Sequence, residues 1–144
     1  MSDPVIHASK QTVNPAEWYE RGIALKKAGL YKAAIEQFEL ATVDRSLAVK
    51  AHAQIGLCYK LSGRYEEAVP AFQRALKATP VSSKETVQIL YVLGRTLESL
   101  GRIAETLEAY RWIRREDSEY RDVAKRIERL SARRPAAPVK NLSS

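Results

Sequence analysis

Small, apolar and aromatic positions recur along this chain in a fixed order. Gly22, Leu25, Gly29, Tyr31, Ala34, Phe38 and Ala41 are followed 34 residues later by Gly56, Tyr59, Gly63, Tyr65, Ala68, Phe72 and Ala75. A looser copy comes after another 38: Gly94, Leu97, Gly101, Ile103, Thr106, Tyr110 and Ile113. Within each copy the spacing is helical, and a glycine divides it into two segments. A period of this length marks stacked helix pairs, none of which buries its apolar face alone.

The pattern predicts helices over 15–28, 31–43, 47–61, 65–78, 83–100 and 103–115. Asn14-Pro15-Ala16-Glu17 is a strong start: Asn14 caps, Pro15 suits the first helical position and Glu17 bonds back. Ser82 and Glu85 make a second capping box. Pro70 removes one backbone donor from the fourth helix, and a small kink is expected there. The four-residue delay of the third copy is close to one helical turn, so it lengthens the fifth helix and leaves its inward face in register. Asp117-Ser118 is expected to cap a seventh helix over 119–133. Tyr120, Val123, Ile127 and Leu130 form its single apolar stripe, as a helix covering the open end of a stack requires. Residues 1–13 lack periodicity and read as a loose arm. Pro135-Ala136-Ala137-Pro138 ends regular structure before a tail, over 135–144, expected to be disordered.

Close approach within each pair is expected at Gly22, Gly56 and Gly94, against the small partners Ala34 and Ala68. Phe38, Phe72 and Tyr110 are expected to fill the gap towards the next pair. These are packing residues and leave the functional list.

Here the sequence resembles the tetratricopeptide repeat family. The second copy matches best, with Gly56, Tyr59, Gly63, Tyr65, Ala68, Phe72, Ala75 and the closing Pro80. Trp18 fits the aromatic at the start of the first, where His52 and Leu90 stand in the others. Arg21, Leu25, Thr106 and Ile113 depart from the pattern. The resemblance covers about 15–118 and implies an all-α fold: three antiparallel helix pairs (about 15–48, 49–82 and 83–118) in a right-handed superhelical array, with the capping helix behind them. It implies peptide or protein binding, not catalysis, on a concave face made by the first helix of each pair.

That face takes Tyr19, Ile23, Lys26 and Lys27 from the first repeat, with Ala16 beside them. Lys50, Leu57 and Lys60 come from the second, with Ala53 and Leu61. Gln88, Tyr91 and Arg95 come from the third, with Glu98 and Ser99. Apolar anchors among an excess of positive charge suit a partner's segment carrying apolar and acidic residues. The family's chaperone adaptors grip a C-terminal carboxylate with lysine, asparagine and arginine. The matching positions here are Tyr19, Ile23, Gln54, Gln88 and Val92, so no binding of such a tail is expected.

Charge adds a second theme. The 144 residues carry a net +7, of which +5 lies in 111–144. Binding of nucleic acid or an anionic surface through Arg111, Arg114, Arg115, Arg121, Lys125, Arg126, Arg129, Arg133 and Arg134 is one alternative, with Trp112 as an aromatic contact. Interrupting acids and an intrahelical Asp122–Arg126 pair favour a solvated face instead. Self-assembly through exposed apolar surface is another alternative.

One cysteine, Cys58, forms no internal disulfide, and no secretory leader is evident, so a reducing cytoplasm is the expected location. Cys58 reads as a buried structural thiol. His7 and His52 have no metal-ligand spacing. Neither a metal, nor another cofactor, nor an enzymatic activity is expected, and no run spans a membrane.

Overall fold

The computed structural model describes residues 14–133. The arm at 1–13, the tail at 135–144 and Arg134 lie outside the described residues. Seven helices make up the described secondary structure: α1 (Pro15–Lys27), α2 (Tyr31–Ala41), α3 (Arg45–Leu61), α4 (Tyr65–Lys77), α5 (Ser83–Ser99), α6 (Ile103–Glu116) and α7 (Val123–Arg133). They fall into two compact units, 14–80 with α1–α4 and 81–133 with α5–α7.

Each pair is closed by the same turn. Gly29, Gly63 and Gly101 have φ of 79°, 81° and 75°. Each first helix ends in a Schellman motif, in which the N–H after the glycine returns to a carbonyl five residues back: Leu30 to Leu25, Arg64 to Tyr59 and Arg102 to Leu97. Only glycine takes that backbone without cost, which is why it recurs there.

In the first unit α1 pairs with α2, α3 with α4, and α2 packs against α3. A Cβ at Gly22 would stand 2.6 Å from the Phe38 ring, and one at Gly56 2.6 Å from the Phe72 ring. The phenyl rings therefore lie on the glycines of their own pairs, a correction to the expectation that they mainly fill the space between pairs. Phe38 still borders the second pair, because Ala51, Ile55 and Cys58 belong to the same buried cluster. Ala34 and Ala68 are fully buried, as small residues at a close crossing must be. α4 runs through Pro70 unbroken.

In the second unit the same architecture takes polar substitutes. Tyr110 covers Gly94, where a Cβ would stand 2.3 Å from the ring. Its hydroxyl, buried with the ring, donates to Glu98 at 2.8 Å. Thr106, at the position of Ala34 and Ala68, satisfies its hydroxyl on the Arg102 carbonyl at 2.8 Å. These two bonds account for a third copy that looks irregular in sequence yet packs like the others. Val123, Ile127 and Leu130 of α7 are buried, and α7 packs on α6.

Helix boundaries differ from expectation in physically clear ways. α2 stops at Ala41, two residues short of 43. α3 starts at Arg45, because the Asp44 carboxylate accepts the Ser46 N–H at 2.8 Å. The largest difference is α7, which begins at Val123 and not at 119. Asp117 does accept a backbone N–H, from Glu119 at 3.0 Å, but this closes a turn. Arg121 has φ 46°, which no helix continues through. Both capping boxes, Asn14 with Glu17 and Ser82 with Glu85, form as expected.

Candidate peptide-binding surface

In the first unit α1 and α3 touch, and one face of each remains open to solvent. Residues 19, 23 and 26 follow each other on α1 at helical spacing, as do 50, 54, 57 and 60 on α3. Tyr19, Ile23, Lys26, Leu57 and Lys60 are each half-buried, whereas Lys27 and Lys50 are exposed. Tyr19 and Ile23 rest on the buried cluster. The Tyr19 ring meets Phe38 edge-on with centroids 5.4 Å apart, so Tyr19 has a structural footing as well as an accessible rim.

Three polar side chains join across the two helices. Lys26 Nζ donates to Gln54 Oε1 at 2.7 Å, and Gln54 Nε2 donates to the Tyr19 hydroxyl oxygen at a longer 3.4 Å. Burial raises the Tyr19 pKa, with the Gln54 bond a smaller opposing influence, so the phenol keeps its proton. In the sequence alone Gln54 stands out only as one of the positions that offer no cationic grip. That it ties Tyr19 to Lys26 follows from neighbouring helices and has no signature within either segment.

α3 carries Arg45, Lys50 and Lys60 and no carboxylate. Among the described residues no carboxylate pairs with Lys26, Lys27, Lys50 or Lys60. Other cations are engaged: Arg64 Nε bonds Glu67 at 2.7 Å and Arg102 Nε bonds Glu105 at 2.7 Å.

The third-repeat residues sit in the second unit. Gln88 is exposed and Arg95 half-buried. Tyr91 is half-buried and already occupied by the 117–122 turn. Its hydroxyl donates to Asp122 at 2.9 Å, its ring lies 5.8 Å from that of Tyr120, and the Arg121 guanidinium stands 4.9 Å over it. Arg126 completes this cluster, bonding Asp122 at 2.8 Å and Glu98 at 3.1 Å. Burial pushes the Asp122 carboxyl upwards. The bond from Tyr91 and the charge and bonds of Arg126 outweigh it, leaving the carboxyl below its usual range. Two members of the basic C-terminal set, Arg121 and Arg126, are thus held internally, and the Asp122–Arg126 pair is present.

Cys58 is fully buried, and burial pushes its thiol up to about 11 against a weaker influence of Lys26. His52 is half-buried, with Nδ1 out of solvent and unpartnered. Burial, then the charge of Arg74, lowers its pKa. No trio of His, Cys, Asp or Glu among the described residues could hold a metal ion. Nor is any described helix long and apolar enough to cross a membrane.

The tetratricopeptide repeat model matches residues 19–83 and, in a second register, 62–121. With most of the chain so matched, the protein belongs to the tetratricopeptide repeat family. Among solved structures it is similar to the second such domain of human RPAP3 in complex with the HSP70 peptide SGPTIEEVD. That likeness has 18% identity and a TM-score of 0.64, over 82% of this chain and 98% of that one. It is also similar to MamA from Desulfovibrio magneticus RS-1, at 21% identity and TM-score 0.67, over 88% of this chain and 69% of that one. The Yersinia enterocolitica type III secretion chaperone SycD, in complex with a peptide of the translocator YopD, aligns at 15% identity and TM-score 0.59, over 88% and 93%. At these identities the likeness concerns the fold. No curated protein matches the chain by sequence.

Proposed function

We propose that the chain is an adaptor that holds a peptide segment of a partner protein against the open face of α1 and α3. The observation that carries this reading is a row of half-buried apolar side chains, Tyr19, Ile23 and Leu57, set among lysines that no carboxylate of the described chain neutralises. Apolar anchors would supply most of the affinity, and the lysines selectivity and association rate. The peptides bound by the RPAP3 domain and by SycD, proteins of the same fold, support a peptide as ligand. Gln88, Tyr91 and Arg95 are assigned to the same function in the second unit. There Tyr91 would contribute its accessible edge only, since its hydroxyl is committed to Asp122.

The ligand differs from a chaperone tail in this proposal. Tyr19, Ile23, Gln54, Gln88 and Val92 offer no cation at the positions where chaperone adaptors grip a terminal carboxylate. A fluorescent SGPTIEEVD peptide should bind the protein no more tightly than the same peptide amidated at its C-terminus. Micromolar binding that amidation abolishes would refute this part.

The adaptor reading is tested with Leu57→Lys, which changes a half-buried side chain without touching the glycine–aromatic contacts. Affinity capture from the source cell, quantified by mass spectrometry, should lose its specific partners while the circular dichroism spectrum is kept. Partners retained by a folded Leu57→Lys variant would sink the assignment.

A further inference from the structure

The polar bridge across α1 and α3 has an unused half. A lysine ammonium has three donors and a phenol one. Gln54 takes one N–H of Lys26 and leaves the Tyr19 proton free, because at Tyr19 the amide is itself the donor. Two further N–H groups of Lys26 and the Tyr19 O–H therefore remain, held beside each other by one planar amide whose oxygen and nitrogen are spaced like the two oxygens of a carboxylate. Lys26 is half-buried, and its partner here is a neutral amide. A half-buried cation gains most from an ionised acceptor, since its surroundings screen the interaction less than water does. Among the described residues Lys60, on the facing helix, pairs with no carboxylate and adds charge of the same sign.

We propose that Lys26 and Tyr19, positioned by Gln54, form a subsite for one side-chain carboxylate, Asp or Glu, of the bound peptide. One carboxylate oxygen accepts from the Lys26 ammonium and the other from the Tyr19 hydroxyl. Ile23 and Leu57 beside the bridge take an apolar neighbour of that acid. Charge complementarity selects this occupant: α3 brings Lys50 and Lys60 and no acid to the face, and among the described residues Lys26 has no counter-ion. A neutral polar side chain would leave the ammonium with uncharged partners only. The inference rests on the peptide-binding reading of the same face and adds the chemistry of one position in the ligand.

The test uses the full chain and a phage-displayed library of random twelve-residue peptides. Selection should enrich peptides with Asp or Glu at a fixed distance from an apolar residue. Replacing that acid by its amide in a synthetic winner should weaken binding to the parent protein roughly tenfold or more, as loss of a charged hydrogen bond does. The same replacement should have almost no effect on Lys26→Met, and a reduced effect on Tyr19→Phe. Tyr19→Phe keeps the ring on Phe38 and removes only the hydroxyl, so thermal melts of the two variants separate lost packing from lost recognition. Failure to enrich any peptide, or winners that bind Leu57→Lys as tightly as the parent, would overturn the peptide-binding reading itself. Winners that depend on Leu57 but show the same acid-to-amide penalty with and without Lys26 would overturn the subsite and leave that reading standing.

Discussion

At position 56 two effects of a single methyl group oppose each other. Alanine favours an exposed helix over glycine by about 1 kcal/mol. Here its Cβ would lie 2.6 Å from the Phe72 ring, and that ring is buried. Overpacking of this kind costs about 1–3 kcal/mol, so the clash is expected to win and Gly56→Ala to destabilise. Phe72→Ala should cost about 3–5 kcal/mol through the cavity it leaves. Urea denaturation of Gly56→Ala, Phe72→Leu and the double variant checks the contact: the two changes should cost less together than their sum. Strict additivity would mean that the ring does not rest on the glycine. Cys58 supplies a second residue-scale prediction. Iodoacetamide at pH 8 should leave it unmodified in the native chain and alkylate it in urea. Its folded pKa, about 11, lies above the ordinary 9.0, so the unfolded chain releases the proton first. Stability should accordingly fall as pH rises from 9 towards 11. Glycine, alanine and aromatic positions were legible in the sequence because steric exclusion repeats with the period. The bonds of Gln54 were not, because a side-chain amide reaching between helices leaves no periodic trace.

The elements divide by what starts them. α1, α3 and α5 begin on side-chain caps, at Asn14, Asp44 and Ser82. α2, α4 and α6 have no side-chain cap and begin directly from the preceding glycine turn. The caps at Asn14 and Ser82 and the glycine turns made most boundaries readable to within two residues. The reading fails at α7, where 119–122 carries residues a helix tolerates yet forms turns, with Arg121 at a positive φ. That departure sets Tyr120, Arg121 and Asp122 against Tyr91, contacts that a helix beginning at 119 would not be bound to make. The Asp122 carboxyl is held below its ordinary 3.8 in the fold. A depressed acid contributes stability above its unfolded pKa and loses it as pH falls through the folded one. Asp122→Asn should therefore lower the melting temperature at pH 7, with the gap to the parent closing below about pH 4. A gap of constant size down to pH 2 would show that the charge of Asp122 contributes nothing.

For the whole molecule, the family and the all-α repeat fold were legible from the 34-residue recurrence, because the recurrence encodes how one helix pair packs. The candidate surface was legible only in outline. Residues between the packing positions face outwards by elimination, but the sequence does not show which of them are already spoken for. Tyr91 and Lys26 illustrate the difference. Both were expected on the same binding face, and in the fold Tyr91 is committed to the 117–122 turn while Lys26 retains donors.

The helix α3, with three cations and no acid along its length, also makes ionic strength a diagnostic. Added salt screens repulsion among those cations and equally screens their attraction for an acidic ligand. Between 50 and 300 mM sodium chloride — on the order of a twofold change in screening length — thermal stability should rise slightly while association with an acidic peptide slows. A protein whose lysines were balanced by neighbouring acids would show neither trend. The two responses, opposite in sign and arising from one helix, should both weaken when Lys50 and Lys60 are replaced by glutamine.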